Sequence, residues 1–523
     1  MLHRTPRRLV ALGLFTLVAC QDSNDSPADG STGPVDGGTT TGGYTTSTSS
    51  SSTTEDPHTA GPETGSSSSD GSGGEQDEST DATGEDHAST GEVVSELDGL
   101  WQTEGYGWIY AVDDGALKIY ETTAISCVQA IGGTVVAQDG EGSAILEVPE
   151  LFTLGMEILA GESPETKHFL ADGLLVAPPA HRVDALPETC SEPAATDDRA
   201  VFEVVVRTFE EHYALFGDRE VDWNAWVDEQ RARLMNDAPD ALFEVLVDLL
   251  APLEDAHVSL QTPEGSFEGR RAEVEPVTED AIDRARTIIA THYLQDEPTW
   301  AVGDQIAFGH LTPEVGYLAA EGFGPLFTEE GQLDYAGGVA ALETFLDEIF
   351  AESGMEGLVI DLRMNGGGSD LYGLAIAQRL TRAPYSPYVV SARVDPVDRS
   401  VFGEPVPIVV EPSDRPHFEG EVVVLIGRDT VSAAEAFALA LRGRPGITLV
   451  GEPSQGAFSA VLNHFLPNGW MLGLPNEHYV TPEGERFDVV GIPPDVTTPV
   501  FGAEDLAAER DSALDEALRL LTE

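Results

Sequence analysis

Lysine is almost missing from this chain. Lys118 and Lys167 are all there is, so nothing beyond position 167 can offer a lysine amine as a base. Positive charge of any kind is scarce: 27 Lys and Arg face 92 Asp and Glu, a net charge of −65. Such a surface repels polyanions, which argues against a nucleic-acid partner. Cysteine is limited to Cys20, Cys127 and Cys190. There is no His-Glu-x-x-His motif and no paired-cysteine motif, so nothing in the sequence calls for a metal or another cofactor. The first apolar run, Leu9 to Val18, is too short to span a bilayer as a mature helix.

What is present begins with a targeting signal. Arg4, Arg7 and Arg8 precede that run, and Leu17-Val18-Ala19-Cys20 follows its pattern. Leu-Val-Ala-Cys resembles a bacterial lipoprotein signal, which implies a signal peptide over 1–20, lipidation of Cys20 and an exported protein anchored in the cell envelope. The alternative is an ordinary signal peptide with an incidental cysteine. In an exported protein Cys127 and Cys190 are then candidates for a disulfide. Residues 21–93 are Ser, Thr, Gly, Asp and Glu with few large apolar side chains, the composition of a disordered tether.

From 94 to 194 short alternating runs take over. Trp108 to Val112, Ala116 to Tyr120, Gly133 to Ala137 and Ala144 to Val148 read as strands, with Asp114-Gly115 and Asp139-Gly140 as turns. This predicts a small antiparallel β domain. Its aromatic cluster, Trp101, Tyr106, Trp108 and Tyr110, is either core or the lining of a groove. Residues 195–300 read as a helical region: Phe202, Val205, Val206, Phe209 and Tyr213 recur at helical spacing, and Asp222 caps a second helix. A third helix ends in Leu253-Glu254-Asp255-Ala256-His257, placing a histidine just past a helix exit. Residues 261–300 read as acidic and irregular. Over 301–523 strands and helices alternate, which predicts an α/β core. One helix is expected over Asp505 to Leu521.

Two stretches of that core carry chemistry. Val422 to Ile426 reads as a strand buried on both faces, Gly427 to Thr430 as a turn, and Ser432-Ala433-Ala434-Glu435 opens a helix. A serine at such a junction presents its hydroxyl to a cleft, beside amides that suit an oxyanion. The same four residues fit a capping box, in which the serine only starts the helix. Upstream, Arg363-Met364-Asn365-Gly366-Gly367-Gly368 lets the backbone turn sharply and converge its N–H groups. It is either a plain turn or an anion cradle, but not a phosphate loop, since no Gly-Lys-Ser/Thr follows.

Four ordered segments resemble one family. They are Leu358 to Gly368, Ser432 to Glu435 with Val450 to Gly456, Tyr479 to Gly484, and Gly491 to Val496. The family is the tail-specific, or C-terminal processing, serine peptidases, which includes the tricorn protease core and the interphotoreceptor retinoid-binding protein modules. The resemblance covers roughly residues 198–500. It implies a crotonase-like α/β core with a helical N-terminal part. It also implies a peptide or protein substrate and serine-type hydrolysis.

The family has two chemistries. Where processing peptidases carry their lysine, this chain has Ala457, so a Ser/Lys dyad is excluded. The tricorn-like branch instead implies Ser432 as nucleophile, His257 as base and Asp488 as the acid that orients it. The family's usual glutamate is here an aspartate, and its hydroxyl before the histidine is here Ala256. The amides of Ala433 and of Gly366 or Gly367 would form the oxyanion hole. His464 and His478 are rival bases. A histidine base would make activity rise through roughly pH 6–7. Between His257 and Asp361 no Gly-Leu-Gly-Phe-like loop marks a PDZ domain. The competing reading is a non-catalytic envelope lipoprotein that binds a ligand or peptide. A purely structural envelope protein would account for the tether but not for the constellation.

Overall fold

The computed structural model describes residues 96–523, except 139–140, 149–151, 220, 237–239, 273 and 352–353. The signal segment, Cys20, the 21–93 tether and the Asp139-Gly140 turn lie outside the described residues.

Alternating side chains build the first element. Eight strands, β1 (Gly99–Thr103), β2 (Trp108–Asp113), β3 (Ala116–Thr122), β4 (Cys127–Gln138), β5 (Glu141–Val148), β6 (Phe152–Ala160), β7 (Thr166–Ala171) and β8 (Pro179–Val183), pair antiparallel in chain order. β1 also pairs with β8, closing a barrel without free edges. In β2–β3 the register pairs Asp113 with Ala116, so Asp114 (φ 48°) and Gly115 (φ 76°) make the two-residue turn alone. Trp101 and Tyr110 fill the interior, and Tyr110 stacks on Phe169 with centroids 3.9 Å apart. The sequence shows only the middle of the barrel; β1, β6, β7 and β8 carry too little contrast to stand out. Cys127, at the start of β4, is disulfide-bonded to Cys190, which ties the barrel to the segment leading into the helices.

Helices Asp198–His212, Trp223–Leu234 and Leu242–Leu250 follow. Asp197 and Asp222 cap the first two through the amides of Ala200 and Ala225. Their apolar faces, including Phe202, Phe209 and Leu246, pack on Leu472 and Leu474 of the core. The region 261–300 is not irregular. It holds a helix, Glu279–Ile288, capped by Thr278. That helix buries only Ala285 and Ile288, too few apolar positions for a visible period.

The α/β core is a seven-stranded sheet in the order Thr299–Ala301, Ile306–Thr312, Val315–Ala320, Gly357–Asp361, Glu421–Ile426, Ile447–Gly451 and Val496–Thr497. The last five run parallel. The C-terminal helix is also two helices, Ala503–Ala507 and Ser512–Thr522. Asp511 breaks it. It caps the second helix through the amides of Ala513 and Leu514 and reaches the buried guanidinium of Arg363 at 2.8 Å.

Candidate active site

Strand Glu421–Ile426 is hydrogen-bonded on both sides, by Gly357–Asp361 and Ile447–Gly451. Its exit is fixed by Thr430, whose hydroxyl donates to the carbonyl of Leu362 and accepts from the amide of Gly427. Two residues on stands Ser432, with φ 59° and ψ −124°. An ordinary N-cap lies in the extended region with negative φ. A non-glycine residue held here costs about 1–3 kcal/mol and persists only where its surroundings insist on it.

They do insist. The Ser432 amide faces the Ala457 carbonyl at 3.1 Å and the Glu435 carboxylate at 3.1 Å. Glu435 is fully buried and also accepts from the amides of Gly456 (2.6 Å) and Ala457 (2.8 Å). Burial pushes its carboxyl up to about 7, against the pull of those donors. One carboxylate therefore fastens the helix start to the 454–457 loop. The amide of Ala433, at the first helical position, has no intrahelical carbonyl to take and is free for an anion.

Gly367 closes over the serine. At φ 101°, a Cβ added there would sit 2.7 Å from Ser432 Cβ and 3.2 Å from the Ala433 nitrogen. Its amide donates to Asn365 Oδ1 at 2.8 Å. Asn365 is buried; its Nδ2 donates to the Ala320 carbonyl and its own carbonyl accepts from Val431. The Gly367 amide is thus already engaged, which leaves Ala433 and Gly366 of the three expected donors.

His257 arrives by a different route. Glu254 turns left-handed (φ 51°) at the helix exit, and His257 precedes strand Ser259–Gln261, which pairs with Met471–Gly473. Its neighbour Ala256 packs against Val431 and Ala457, beside Ser432. The His257 amide donates to Asp255, which also accepts from the Tyr213 hydroxyl and is ion-paired with Arg219 at 3.1 Å. Burial holds the His257 imidazole down to about 4, with Asp255 pulling the other way. Asp488 joins from the far end of the sequence: the next amide, Val489, donates to the Gly456 carbonyl at 2.9 Å. Burial pushes its carboxyl up to about 8; Asp255 and Glu435 add to the rise and Arg486 opposes it. The three segments meet on the 454–457 loop. His257 Nδ1 is buried without a hydrogen-bond partner and the Asp488 carboxylate has only a weak contact with the Phe458 amide, so the imidazole–carboxylate bond is not made.

The other histidines have other surroundings. His464 is buried against His212, ring centroids 5.3 Å apart, with Glu121 of the barrel at 3.7 Å. His478 contacts the Ala214 carbonyl and Arg486 and stacks on Phe402. Among the described residues no three His, Cys, Asp or Glu side chains converge as a metal site.

Ser432 lines a narrow cleft between barrel and core. Tyr106 and Trp108 line it from the barrel, whereas Trp101 and Tyr110 are interior. The aromatic cluster is thus part core and part wall. Sequence reading saw Glu435 only as a cap partner and passed over Asp255, Asp370, Asn476 and Glu477. The acid-rich Leu-Glu-Asp-Ala-His run was the available signal for Asp255.

Residues 314–498 match the model of Peptidase family S41. Carboxyl-terminal-processing proteases of Synechocystis sp. and Picosynechococcus sp. are each 30% identical over 33% of this chain, covering 38% and 39% of their own lengths. The chain therefore spans well under half of these curated relatives. A solved structure of a candidate peptidase from Parabacteroides merdae aligns over 63% of this chain and 98% of its own, with 25% identity and a TM-score of 0.52. The matched segment includes Ser432 and Asp488 and begins after His257. It is residues 314–498 of this chain, most of the α/β core, that are similar to Peptidase family S41.

Proposed function

We propose that the protein is a serine peptidase that hydrolyses peptide bonds through an acyl-enzyme on a crotonase-like core. In this reading Cys20 carries a lipid that tethers it to the cell envelope. The observation that supports this best is the strained serine. Ser432 is held at φ 59° by Glu435 and Gly367 at the mouth of a cleft, a conformation that capping a helix does not require.

In the reaction Ser432 Oγ attacks the substrate carbonyl, and His257 takes its proton and returns it to the leaving amine. The imidazole is competent, because burial keeps it neutral at neutral pH. The histidine-linked rise expected at pH 6–7 therefore moves down toward pH 4. Ala433 and Gly366 supply amides to the oxyanion; one such donor is typically worth about 3–4 kcal/mol. Asp488 supports the imidazolium. Joining His257 Nδ1 to the Asp488 carboxylate would satisfy a buried nitrogen with no partner and a buried carboxylate with only the weak Phe458 amide contact.

A fluorophosphonate probe applied to the full chain should label the wild type and not Ser432→Ala, and His257→Ala should cut turnover by about 10²–10⁴. Equal labelling of wild type and Ser432→Ala would reject the nucleophile. A second reading, a non-catalytic binding protein, draws on the aromatic wall of the cleft. It predicts no labelling of either form together with saturable binding of a peptide.

A further inference from the structure

The cleft beside Ser432 has an apolar sleeve and an acidic end. Trp108 and Phe169 from the barrel, with Val390 and Phe458 from the core, make the sleeve. Asp370 and Glu477 are the charged residues that line it, and neither lysine nor arginine does. Glu477 is only 4% exposed; it accepts from the Tyr106 hydroxyl at 2.5 Å and from the Ala460 amide at 3.1 Å. Asp370 meets the Tyr479 hydroxyl at 3.4 Å. Burial raises both carboxyls, and the charge of Glu477 raises Asp370 further, to about 7. Two acids without a counter-charge in an apolar cleft are costly unless a cation arrives.

An independent observation points to a ligand. Asn476 also lines the cleft and is fully buried, yet neither its side-chain oxygen nor its side-chain nitrogen has a hydrogen-bond partner. Its backbone is satisfied, through Ser459 and Arg393, so the deficit belongs to the amide group alone. Leaving a buried amide unmet is destabilising. A substrate group reaching the acidic end would meet it.

We propose that this cleft is the specificity subsite of the peptidase and takes a lysine or arginine side chain of the substrate, with Asp370 and Glu477 as counter-charges and Asn476 as an added polar contact. The claim rests on the peptidase reading for its placement beside Ser432. The aromatic sleeve suits the aliphatic stem and the face of a guanidinium, and the net charge of −65 draws cationic peptides toward the molecule. Tyr106, on the β1–β2 connection, ties the barrel to the acidic end, so the barrel helps to set specificity.

The test uses fluorogenic peptides that differ only in the residue before the scissile bond, with the full chain as enzyme. Arginine and lysine peptides should exceed the norleucine peptide in kcat/KM by about tenfold or more. Asp370→Asn should collapse that ratio, and Glu477→Gln provides a second variant if the first is poorly folded. Cleavage with norleucine equal to or better than arginine would overturn the subsite and leave the peptidase reading intact. Calorimetry on Ser432→Ala separates the two ideas. Acetyl-arginine amide should bind at least about tenfold tighter than acetyl-norleucine amide. Tight binding of that amide, lost in Asp370→Asn, supports the cation subsite even if no peptide is hydrolysed. Equal binding of the two amides overturns it.

Discussion

The two halves of the candidate site are finished to different degrees. Around Ser432 the amides of Ser432, Gly367, Gly456 and Ala457 all have acceptors, and two of those acceptors are buried side chains, Glu435 and Asn365. Around His257 the backbone is equally well held, by Asp255. Yet of the atoms that would share a proton, His257 Nδ1 has no partner and the Asp488 carboxylate has only the weak Phe458 amide contact. The backbone at Ser432 is held from several sides, whereas the contact on which the proposed proton relay depends is not made. Catalytic hydrogen bonds commonly tighten only when substrate excludes water.

The contrast can be broken from either side. The largest effect should come from the relay: His257→Ala is expected to lower kcat/KM by about 10²–10⁴, read by steady-state hydrolysis on protein whose circular dichroism is unchanged. Gly367→Ala should follow. A Cβ 2.7 Å from Ser432 Cβ must displace the nucleophile, and a misplacement near 1 Å costs on the order of 10²-fold; fluorophosphonate labelling should slow accordingly. Glu435→Ala strands the buried amides of Gly456 and Ala457, while that of Ser432 keeps the Ala457 carbonyl, and should cost about 2 kcal/mol or more in urea denaturation, with Glu435→Gln milder.

Asp488 offers a smaller and sharper test. Its carboxyl ionises near 8 while His257 is neutral from about 4 upward, so kcat/KM should rise between pH 7 and 9. Asp488→Asn should flatten that rise; a rise that survives the substitution would remove Asp488 from the relay. The smallest effect is on stability. Asp488, Glu435 and Asp370 have folded pKa values raised to about 8, 7 and 7, so the folded state holds more protons than the unfolded one and stability falls as pH rises from about 4 to 8. His212, His257 and His478 are lowered to about 4, so their contribution rises with pH up to the ordinary histidine value. Above about pH 6.5 only the carboxylates act, and Tm should fall from there to pH 8 in a thermal scan.

Much of the nucleophile half was legible in sequence because it is local. A β-branched run, a turn and an alanine-rich helix announce the Ser432 junction, and the glycine run announces its lid. The strain at Ser432 was not legible, since Ser-Ala-Ala-Glu reads equally well as a cap. The Asp361-Leu362-Arg363 run counts in the sequence only as part of a resemblance segment. Its side chains instead form a buried network in which Arg363 bridges Asp361 and Asp511 and Tyr317 donates to Asp361. His257 and Asp488 emerged only from resemblance, because nothing in local composition says that segments hundreds of residues apart share the 454–457 loop. The acidic cleft was invisible for the same reason: Tyr106 and Glu477 touch across most of the chain.

The barrel's connectivity bears on the order of assembly. Each strand pairs with the next in sequence, and only the β1–β8 closure is distant, whereas the parallel strands must wait for partners such as Gly357–Asp361 and Glu421–Ile426 to find each other. Short-range pairings form quickly and long-range ones slowly. During synthesis from the N-terminus, the barrel has all its strands once residue 183 emerges, before any strand of the mixed sheet exists. The aromatic wall of the cleft is thus in place first, and the Ser432 junction is folded up against it.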